Sequence, residues 1–532
     1  MKHYRFLLAA LLTLPAATQL TAQETEAEAE SNTLYIRYDD RFKANETIDI
    51  TTVDSIEFAS NAMKLYDETQ RLGYSSQTYT SLIPLDAADV MFTHPGRWLV
   101  HPSTYSGTNY MNDNATSGYN FKHHLESEHF AVFWDARFGD NPAHIQYPGD
   151  GNIASAYNVL NIGERCWQKY VELGFLILGQ STTDKYKIQL YIPYQTEWRA
   201  DASGTTGTNG EHTGIGHFNP WAANARGGHT IAHEIGHTFQ YLTHADWGWN
   251  HGFDYGYGDN ASGGNGWWES CADWQAYKVF PERQFTDGEY FEGYLPLCHL
   301  NLMHEAQRYQ NCFIQDWWCM KHGTDFIGRM WRESIRPEDP VEAYMRLCGL
   351  TLSEFADEHM EGIMRMTTWD IDGVREYARS ANRIGAFPTH LHKASGTTNT
   401  WEVDSAYCPE NFGYNIINMN NTRTAGVEVK AHFKGIAGAD GYRKIRTTQA
   451  GWRYAFVAYT TDQQTVYGDI FSDPEGTATF VLPEKCSRVF FVVMGAPKTY
   501  WHHPWDDDTS NDEQWPYQVT FENINIAGQT NK

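Results

Sequence analysis

The stretch His233-Glu234-Ile235-Gly236-His237 decides how the rest of this 532-residue chain is interpreted. It lies within a segment, Thr230 to His244, whose apolar residues recur at helical spacing. In a helix, His233 and His237 are four residues apart on one face, so both imidazoles can bind the same zinc ion. Glu234 lies beside them at the edge of that face. The stretch therefore predicts a helix that supplies two metal ligands and an adjacent carboxylate.

A second group of polar residues follows this helix. The segment from Trp267 to Trp274 opens another helical stretch, which continues to about Val279 and contains Glu269 and Asp273 four positions apart. A catalytic zinc ion takes three protein ligands and leaves its fourth position to water. The spacing lets Glu269 bind the metal while Asp273 accepts the ring N–H of a ligating histidine. Five other histidines remain alternative third ligands, namely His212, His217, His229, His244 and His251.

Together the two groups resemble the signature of the gluzincin metallopeptidases, in which His-Glu-x-x-His is followed by a ligand glutamate, often within Glu-x-x-x-Asp. The resemblance implies that His233, His237 and Glu269 bind zinc. It also implies that Glu234 is the general base and that Asp273 stands behind the ligands as an orienting group.

The signature also has a particular form and one departure from the family. The pattern His-Glu-x-Gly-His-x-x-Gln, which ends at Gln240, resembles that of enhancin and mucinase-type members, which act on glycosylated or otherwise protected proteins. Glu269 follows His237 by 32 positions, a longer spacing than in most members. Seven of the nineteen residues from Gly248 to Gly266 are glycine, which predicts a mobile aromatic loop.

More loosely, the run from Ser127 to the C terminus resembles a family of exported bacterial proteins of uncharacterised function.

The segments before the motif predict an α/β lobe. Phe130, Val132 and Trp134 alternate with their neighbours as in a strand, Ile153 to Phe175 has helical periodicity, and Tyr186 to Pro193 alternates again. This order is typical of the N-terminal lobe of a zincin. Helical spacing in residues 285–380 predicts a second, helical lobe. We therefore predict an α+β zincin-like catalytic domain over residues 126–385.

Two features of the predicted cleft stay open at this point. Gly214 to Phe218 could lie extended as an open edge strand that pairs with a substrate backbone, with a surface loop as the alternative. The group that stabilises the oxyanion of the reaction has five candidates, namely Tyr277, Tyr290, Tyr294, His299 and His304.

The C-terminal part, residues 390–532, predicts an all-β sandwich, because short β-rich runs alternate there with Gly, Asp, Asn and Pro. Its acidic cluster could hold Ca²⁺, with a solvated loop as the alternative; the cluster comprises Asp506, Asp507, Asp508, Asp512 and Glu513. A neighbouring group could contact glycans or pack against the catalytic domain, and it comprises Trp501, His502, His503 and Trp505.

The N-terminal part predicts export. Residues 1–22 have the basic start, apolar run and small-residue end of a signal peptide, and no cysteine follows them as a lipid anchor would require. Residues 23–32 read as an acidic linker, residues 33–62 as a small β unit and residues 63–125 as a connecting segment. No segment is long and apolar enough to span a membrane, and the net charge of −26 argues against nucleic-acid partners.

The eight cysteines leave two readings open. Export permits disulfides, but the spacings select no pairing, and buried free thiols are an equal alternative.

The sequence as a whole predicts a secreted zinc-dependent metallopeptidase that hydrolyses peptide bonds, with glycoproteins as one substrate class. A metal-activated water would be the nucleophile and Glu234 the general base. The alternative is a secreted glycan-binding or adhesive protein on a zincin scaffold with little or no turnover. Glu234 favours the enzyme, because a metal site without turnover has no need for this carboxylate.

Overall fold

The structure of the protein is a computed structural model. It describes residues 33–36, 46–49, 55–59, 62–66, 81–82, 99–105, 112, 114–207, 210–255, 264–420 and 424–528. The predicted signal peptide (1–22), the acidic linker (23–32) and the centre of the glycine-rich loop (256–263) lie outside these residues.

The chain divides into two compact units. The first comprises Met1–Val171 and Leu176–Asp246, and the second comprises Glu172–Phe175 and Trp247–Lys532. The secondary structure is mixed α+β, as predicted. The zincin fold and the domain limits drawn from the sequence stay predictions.

Strands dominate the first unit. In chain order they are β1 (Thr33–Ile36), β2 (Glu46–Asp49), β3 (Ser55–Ala59), β4 (Ala62–Tyr66), β5 (Ser81–Leu82), β6 (His124–Glu126), β7 (Phe130–Trp134), β8 (Ile145–Gln146), β9 (Ile153–Ala154), β10 (Ile188–Ile192), β11 (Ala200–Thr206) and β12 (His212–Phe218). The helices that begin in this unit are α1 (Ala156–Glu172), α2 (Pro220–Asn224) and α3 (His229–Trp247).

The N-terminal strands form two small antiparallel sheets. β1 pairs with β2, and β3, β4 and β5 pair in sequence order. The first three strands lie inside the predicted β unit of residues 33–62, whereas β4 and β5 continue the β structure beyond it.

A five-stranded sheet forms the centre of the first unit, in the order β11-β12-β10-β7-β6. β7, β10 and β12 run parallel, and antiparallel strands flank them on both sides. Every residue of β7 and β10 is buried, which is usual for parallel strands covered on both faces. Helix α1 makes the long connection that a parallel pair requires between β7 and β10. The predicted strand, helix and strand are thus confirmed.

β12 corrects one expectation. Gly214 to Phe218 does lie extended, but β12 pairs with β10 on one side and with β11 on the other. The proposed open edge strand and the alternative surface loop are therefore both wrong, and the free edge belongs to β11. Its sequence, Ala200 to Thr206, consists of small and polar residues, so it carries no apolar pattern that would mark a strand.

Helix α3, which we call the motif helix, packs closely on this sheet. A Cβ added at Gly214 of β12 would lie 2.6 Å from the Cβ of Thr238, so the two backbones approach closely at this glycine. On another side, the Tyr170 hydroxyl of α1 donates to the Ala232 carbonyl at 2.8 Å. These contacts fix the helix within the first unit.

The second unit begins with helices. They are α4 (Gly264–Val279), α5 (Gly288–Tyr294), α6 (Ile314–His322), α7 (Phe326–Glu333), α8 (Pro340–Cys348), α9 (Leu352–Met366) and α10 (Arg375–Ser380). Those from α5 onward fill the region in which the sequence predicts helices.

Strands complete the second unit. They are β13 (Leu391–Lys393), β14 (Thr400–Val403), β15 (Tyr414–Asn420), β16 (Glu428–Gly435), β17 (Trp452–Thr460), β18 (Thr465–Tyr467), β19 (Glu475–Val481), β20 (Cys486–Gly495), β21 (Tyr517–Glu522) and β22 (Asn525–Ile526).

These strands form two five-stranded sheets, in the orders β13-β14-β21-β16-β19 and β18-β17-β20-β15-β22. The pairings are antiparallel, and one buried apolar cluster draws residues from both sheets. Phe433 of one sheet stacks on Tyr454 of the other with ring centroids 4.2 Å apart. The arrangement agrees with the predicted sandwich.

Two further findings concern the chain as a whole. Among the described residues, no helix is long and apolar enough to cross a membrane. All eight cysteines lie within the described ranges and none forms a disulfide, so the free-thiol alternative describes this structure.

Candidate metal centre

The start of the motif helix depends on three residues with positive φ. Arg226, Gly227 and Gly228 have φ values of 50°, 60° and 95°, so the backbone turns sharply between α2 and α3. Glycine adopts these angles without steric cost, which explains the Gly-Gly pair at this point. The helix then begins at His229, four residues before the first histidine of the motif.

The motif residues lie on one buried helix, as predicted. The exposed fractions of His233, Glu234 and His237 are 7%, 8% and 6%. The two imidazole rings are perpendicular, with centroids 4.8 Å apart. Burying two imidazoles and a carboxylate side by side is costly unless they bind partners. The helix therefore presents a compact set of nitrogen and oxygen donors.

Gln240 orients one of these rings. Its Oε1 lies 2.8 Å from Nδ1 of His237, and the residue is fully buried. Since an amide oxygen only accepts, Nδ1 of His237 carries the proton and donates it. Nε2 then keeps its lone pair for a metal, the arrangement usual for ligating histidines. In the sequence, Gln240 belongs to the family pattern, and its position three residues after His237 is the signal for this contact.

Glu269 and Asp273 lie on α4, which we call the glutamate helix, in the second unit. Both are buried, as is Tyr277, and the three follow one another at intervals of four along one side of the helix. The glutamate helix and the motif helix belong to different units.

Asp316 anchors the glutamate helix within the second unit. Its Oδ1 accepts the indole N–H of Trp274 at 2.9 Å and also pairs with Lys278. Its Oδ2 accepts the amide of Gln284 at 2.7 Å. Because these contacts satisfy a buried carboxylate, they hold the helix that carries Glu269.

Among the alternative ligands, His217 is engaged elsewhere. Its Nδ1 lies 2.7 Å from Oδ1 of Asp201, and its Nε2 is hydrogen-bonded to the Tyr105 hydroxyl. Its ring also packs on Tyr191, on the sheet face opposite to the one where Gly214 meets the motif helix. His217 is therefore not placed to share a metal with His233.

The ionisable groups around His217 also indicate that this residue is engaged in hydrogen bonds away from the motif helix. Burial acts to raise the pKa of Asp201, but hydrogen bonds from His217 and Arg199 outweigh it and hold the pKa below its ordinary value. Burial raises the pKa of Tyr105 to about 12, so this hydroxyl stays protonated and can donate to His217. The group is a closed hydrogen-bonded chain.

The remaining alternative histidines form two groups, one with a contact to a neighbouring side chain and one on or directly after the motif helix. His212 contacts the Tyr241 hydroxyl through Nδ1 at 3.0 Å. His229 and His244 are buried on the motif helix itself, and His251 follows it. These last three stay open as alternatives to Glu269.

Three of the five oxyanion candidates have structural roles in the second unit. The Tyr294 hydroxyl is hydrogen-bonded to that of Tyr414, and burial raises the pKa of Tyr294 well above its ordinary value. Nδ1 of His299 contacts the Pro296 carbonyl at 3.1 Å, and burial lowers the pKa of His299 to about 4. His304 accepts the N–H of Ala306 at 3.0 Å. Tyr277 and Tyr290 stay predictions.

The C-terminal acidic cluster separates into two groups. Asp506, Asp507 and Asp508 are exposed, and Oδ1 of Asp506 accepts the N–H of Asp508 at 3.0 Å. Asp512 and Glu513 are buried. Calcium binding at the exposed group stays a prediction.

The neighbouring aromatic group packs against the helical part of the same unit. His503 and Trp505 are buried, and Nε2 of His502 lies 2.6 Å from Oε2 of Glu342. Trp501 packs on Trp515 and on the guanidinium of Arg446. Packing, the second of the two alternatives, therefore describes this group.

The chain matches a known protein family. A model of a family of unknown function, DUF6055, matches residues 93–528, a range that takes in the motif, Glu269 and the sandwich strands. Neither the curated proteins nor the solved structures contain a match. Since the family model covers most of the sequence, the chain belongs to DUF6055.

Proposed function

We propose that this protein is an exported zinc metallopeptidase in which His233, His237 and Glu269 hold the ion and Glu234 is the general base. The observation that carries the proposal is the buried motif helix, which presents two imidazoles and a carboxylate within one turn. Imidazole nitrogens and carboxylate oxygens are ligands that zinc prefers in proteins, so this set suits a divalent cation.

The donors fit zinc by their chemistry. Zinc prefers imidazole nitrogen and carboxylate oxygen, and its catalytic sites take three such ligands. Nε2 of His237 is the unprotonated ring nitrogen, because Gln240 accepts the proton of Nδ1. Glu269 is a buried carboxylate on a helix that Asp316 anchors. Asp273, four residues further, is the candidate for orienting a ligand.

A zinc ion at this position would supply Lewis-acid chemistry, acidifying a water molecule and polarising a substrate carbonyl. The chain supplies the proton transfer. The Glu234 carboxylate accepts a proton from the attacking water and delivers it to the leaving amine, which needs that proton to depart. Glu234 is only 8% exposed, so bulk water does not compete at its oxygens.

The proposal extends to glycoproteins as one substrate class. Two tryptophans of the first unit, Trp198 and Trp221, are 46% and 47% exposed, and their rings meet edge to face with centroids 5.2 Å apart. Exposed aromatic faces of this kind suit contact with sugar rings. Export follows from the predicted signal peptide and is part of the same proposal.

Replacing Glu234 with glutamine tests the function. We expect hydrolysis of a peptide and glycopeptide library to fall by about 10²–10⁴-fold, because the proton acceptor is gone. Zinc content, measured by elemental analysis, should stay at the wild-type level since the ligands are intact. The exposed Glu376→Gln is the matched control and should leave both unchanged.

Two outcomes would count against the proposal. Undiminished hydrolysis by the Glu234→Gln protein would exclude the assigned base. A wild-type protein that keeps zinc and binds glycans but cleaves nothing in the library would favour the adhesive alternative instead.

A further inference from the structure

A second cluster of metal-binding residue types lies wholly inside the second unit. His304 and Glu305 come from the turn before α6, and His503 and Asp512 come from the segment between β20 and β21. Their exposed fractions are 2%, 5%, 4% and 3%. The chain thus buries two imidazoles and two carboxylates together, far in sequence from the motif helix.

The distance between His304 and Asp512 matches that of two ligands of one metal ion, whereas His503 lies further from Asp512 and contacts Oε2 of Glu305 at 3.3 Å. Nε2 of His304 lies 3.3 Å from Oδ2 of Asp512, and Nε2 of His503 lies 3.9 Å from Oδ1 of Asp512. Charge-assisted N–H···O bonds are shorter, at about 2.7–2.9 Å. Donors that surround zinc tetrahedrally at about 2.0–2.1 Å stand about 3.3 Å from one another.

Hydrogen bonding leaves two of these atoms unused. Within the described part of the chain, neither Nε2 of His304 nor Oδ2 of Asp512 has a partner in hydrogen-bond geometry. Both belong to side chains that are more than nine-tenths buried, and the two atoms lie 3.3 Å from each other. Such atoms are costly to bury unless something binds them.

We propose that His304, His503 and Asp512 form a second metal site, which binds a divalent transition ion such as zinc. One ligand atom from each of the three lies within 4.8 Å of the other two. Two nitrogens and one oxygen suit zinc better than calcium, which prefers oxygen ligands alone. The site shares Asp512 with the acidic cluster for which calcium is predicted, but its two imidazoles suit a different class of ion.

The proton on His304 must move when the ion binds. Nδ1 accepts the Ala306 N–H at 3.0 Å, so Nε2 carries the proton in the metal-free state. Metal binding at Nε2 displaces that proton and leaves it on Nδ1. Oε2 of Glu305 lies 3.5 Å from Nδ1 and can accept it, as carboxylates behind ligating histidines do.

An open cleft gives the ion access. Its volume is about 290 Å³, and its lining includes His304, Glu305, Ala306 and Asp507. Water in the cleft can accept the Ala306 N–H once His304 releases it. The acidic Asp507 at the cleft also favours the entry of a cation.

Cobalt titration of the full chain tests the site, because Co²⁺ bound by nitrogen and oxygen ligands has a visible absorption that an ion pair lacks. The wild type should bind two equivalents, one at this site and one at the motif helix, and His503→Gln and Asp512→Asn should each remove one of them. His502→Gln is the matched control, since this adjacent histidine pairs with Glu342 and should leave the titration unchanged.

The double variant His233→Gln/His237→Gln separates this site from the motif helix. It should retain one equivalent of cobalt, and this arm holds even if the Asp512 variant fails to fold. The proposal is overturned if the double variant binds none, or if His503→Gln and Asp512→Asn both titrate like the wild type. A wild type that binds only one equivalent in total, which Asp512→Asn removes and the double variant keeps, would support this site while contradicting the proposed function.

Discussion

The contact between His237 and Gln240 shows how one side chain prepares another for metal binding. An imidazole has two nitrogens, and only the one without a proton can bind a cation. The amide oxygen of Gln240, 2.8 Å from Nδ1, selects Nε2 for that role. Gln240 is therefore a positioning residue rather than a ligand.

This role predicts the effect of changing Gln240. In Gln240→Leu the acceptor is lost, and zinc affinity should fall about 10–100-fold, as for other groups behind ligands. Gln240→Glu keeps an acceptor of similar size and should retain the affinity. Competition with a chelator of known strength measures both. Equal weakening in the two variants would show that the site is sensitive to shape alone.

His359 is a buried histidine with an apolar environment. Its ring stacks on Phe355 with centroids 5.5 Å apart, and the rings of Trp318 and Phe412 also contact it. Burial lowers the pKa of His359 to about 3, so the ring is neutral in the folded protein at neutral pH.

The pKa of His359 predicts a loss of stability in acid. Between pH 6.5 and pH 3 the unfolded chain binds this proton and the folded chain does not, so the free energy of unfolding falls as pH falls through this window. Relative to His359→Leu, the wild type should lose about 1–2 kcal/mol between pH 6.5 and pH 5. Denaturant unfolding at the two pH values measures the difference. The exposed His144→Leu is the control, and an identical pH response in all three proteins would refute the assignment.

At the scale of elements, glycines of β11 and β12 let the motif helix approach the sheet. A Cβ at Gly214 would come within 2.6 Å of Thr238, and one at Gly204 would enter the ring of Tyr241. Both contacts are with the motif helix. The sheet therefore sets the position of the helix that carries His233 and His237.

Replacing Gly214 with alanine tests this packing. The added methyl group must displace Thr238, which should lower the free energy of unfolding by about 1–3 kcal/mol. Gly151→Ala is the matched control because nothing lies within 4 Å of its added Cβ. Thermal unfolding compares the two, and an equal midpoint would mean that the sheet and helix are not tightly packed at Gly214.

The elements that sequence predicts are those with a local signal. Periodicity and apolar runs mark the motif helix and the buried strands β7 and β10, so the sequence predicts them. The sequence does not predict β11 and β15. The sequence of β15 contains three asparagines, and its burial depends on distant partners. Asn415 donates to the Tyr407 carbonyl at 3.1 Å and accepts the Tyr517 hydroxyl at 3.0 Å. Such contacts between distant residues produce no periodic pattern in the sequence of the strand.

At the scale of the whole molecule, the two proposed metal sites differ in whether the sequence alone can predict them. His233 and His237 are four residues apart, so helical geometry alone predicts that they meet. His304 and His503 lie almost two hundred residues apart, with ring centroids 4.9 Å from each other. Only the packing of the sandwich segment on the helical part of the second unit joins them. The sequence therefore predicts only that His304 is one of five oxyanion candidates and that His503 belongs to a glycan or packing patch.

The helical part and the sandwich of the C-terminal half pack together. The sequence suggests a helical lobe and a separate sandwich, yet both lie in one compact unit. Arg453 of β17 pairs with Ser353 and Asp357 of α9, and Asn301 contacts Glu410. Polar side chains that appear solvated in the sequence thus serve as internal contacts in this unit.

The central claim is that the motif helix binds zinc. Diffraction data from zinc-loaded crystals, collected on both sides of the zinc absorption edge, would locate the ion directly. We predict an anomalous peak about 2.0–2.1 Å from Nε2 of His233 and of His237, with a carboxylate oxygen of Glu269 as the third protein ligand. A peak whose third protein ligand is His229, His244 or His251 would contradict the assignment of Glu269 but not the assignment of the two motif histidines. No peak at the two motif histidines in crystals that contain zinc would contradict the account.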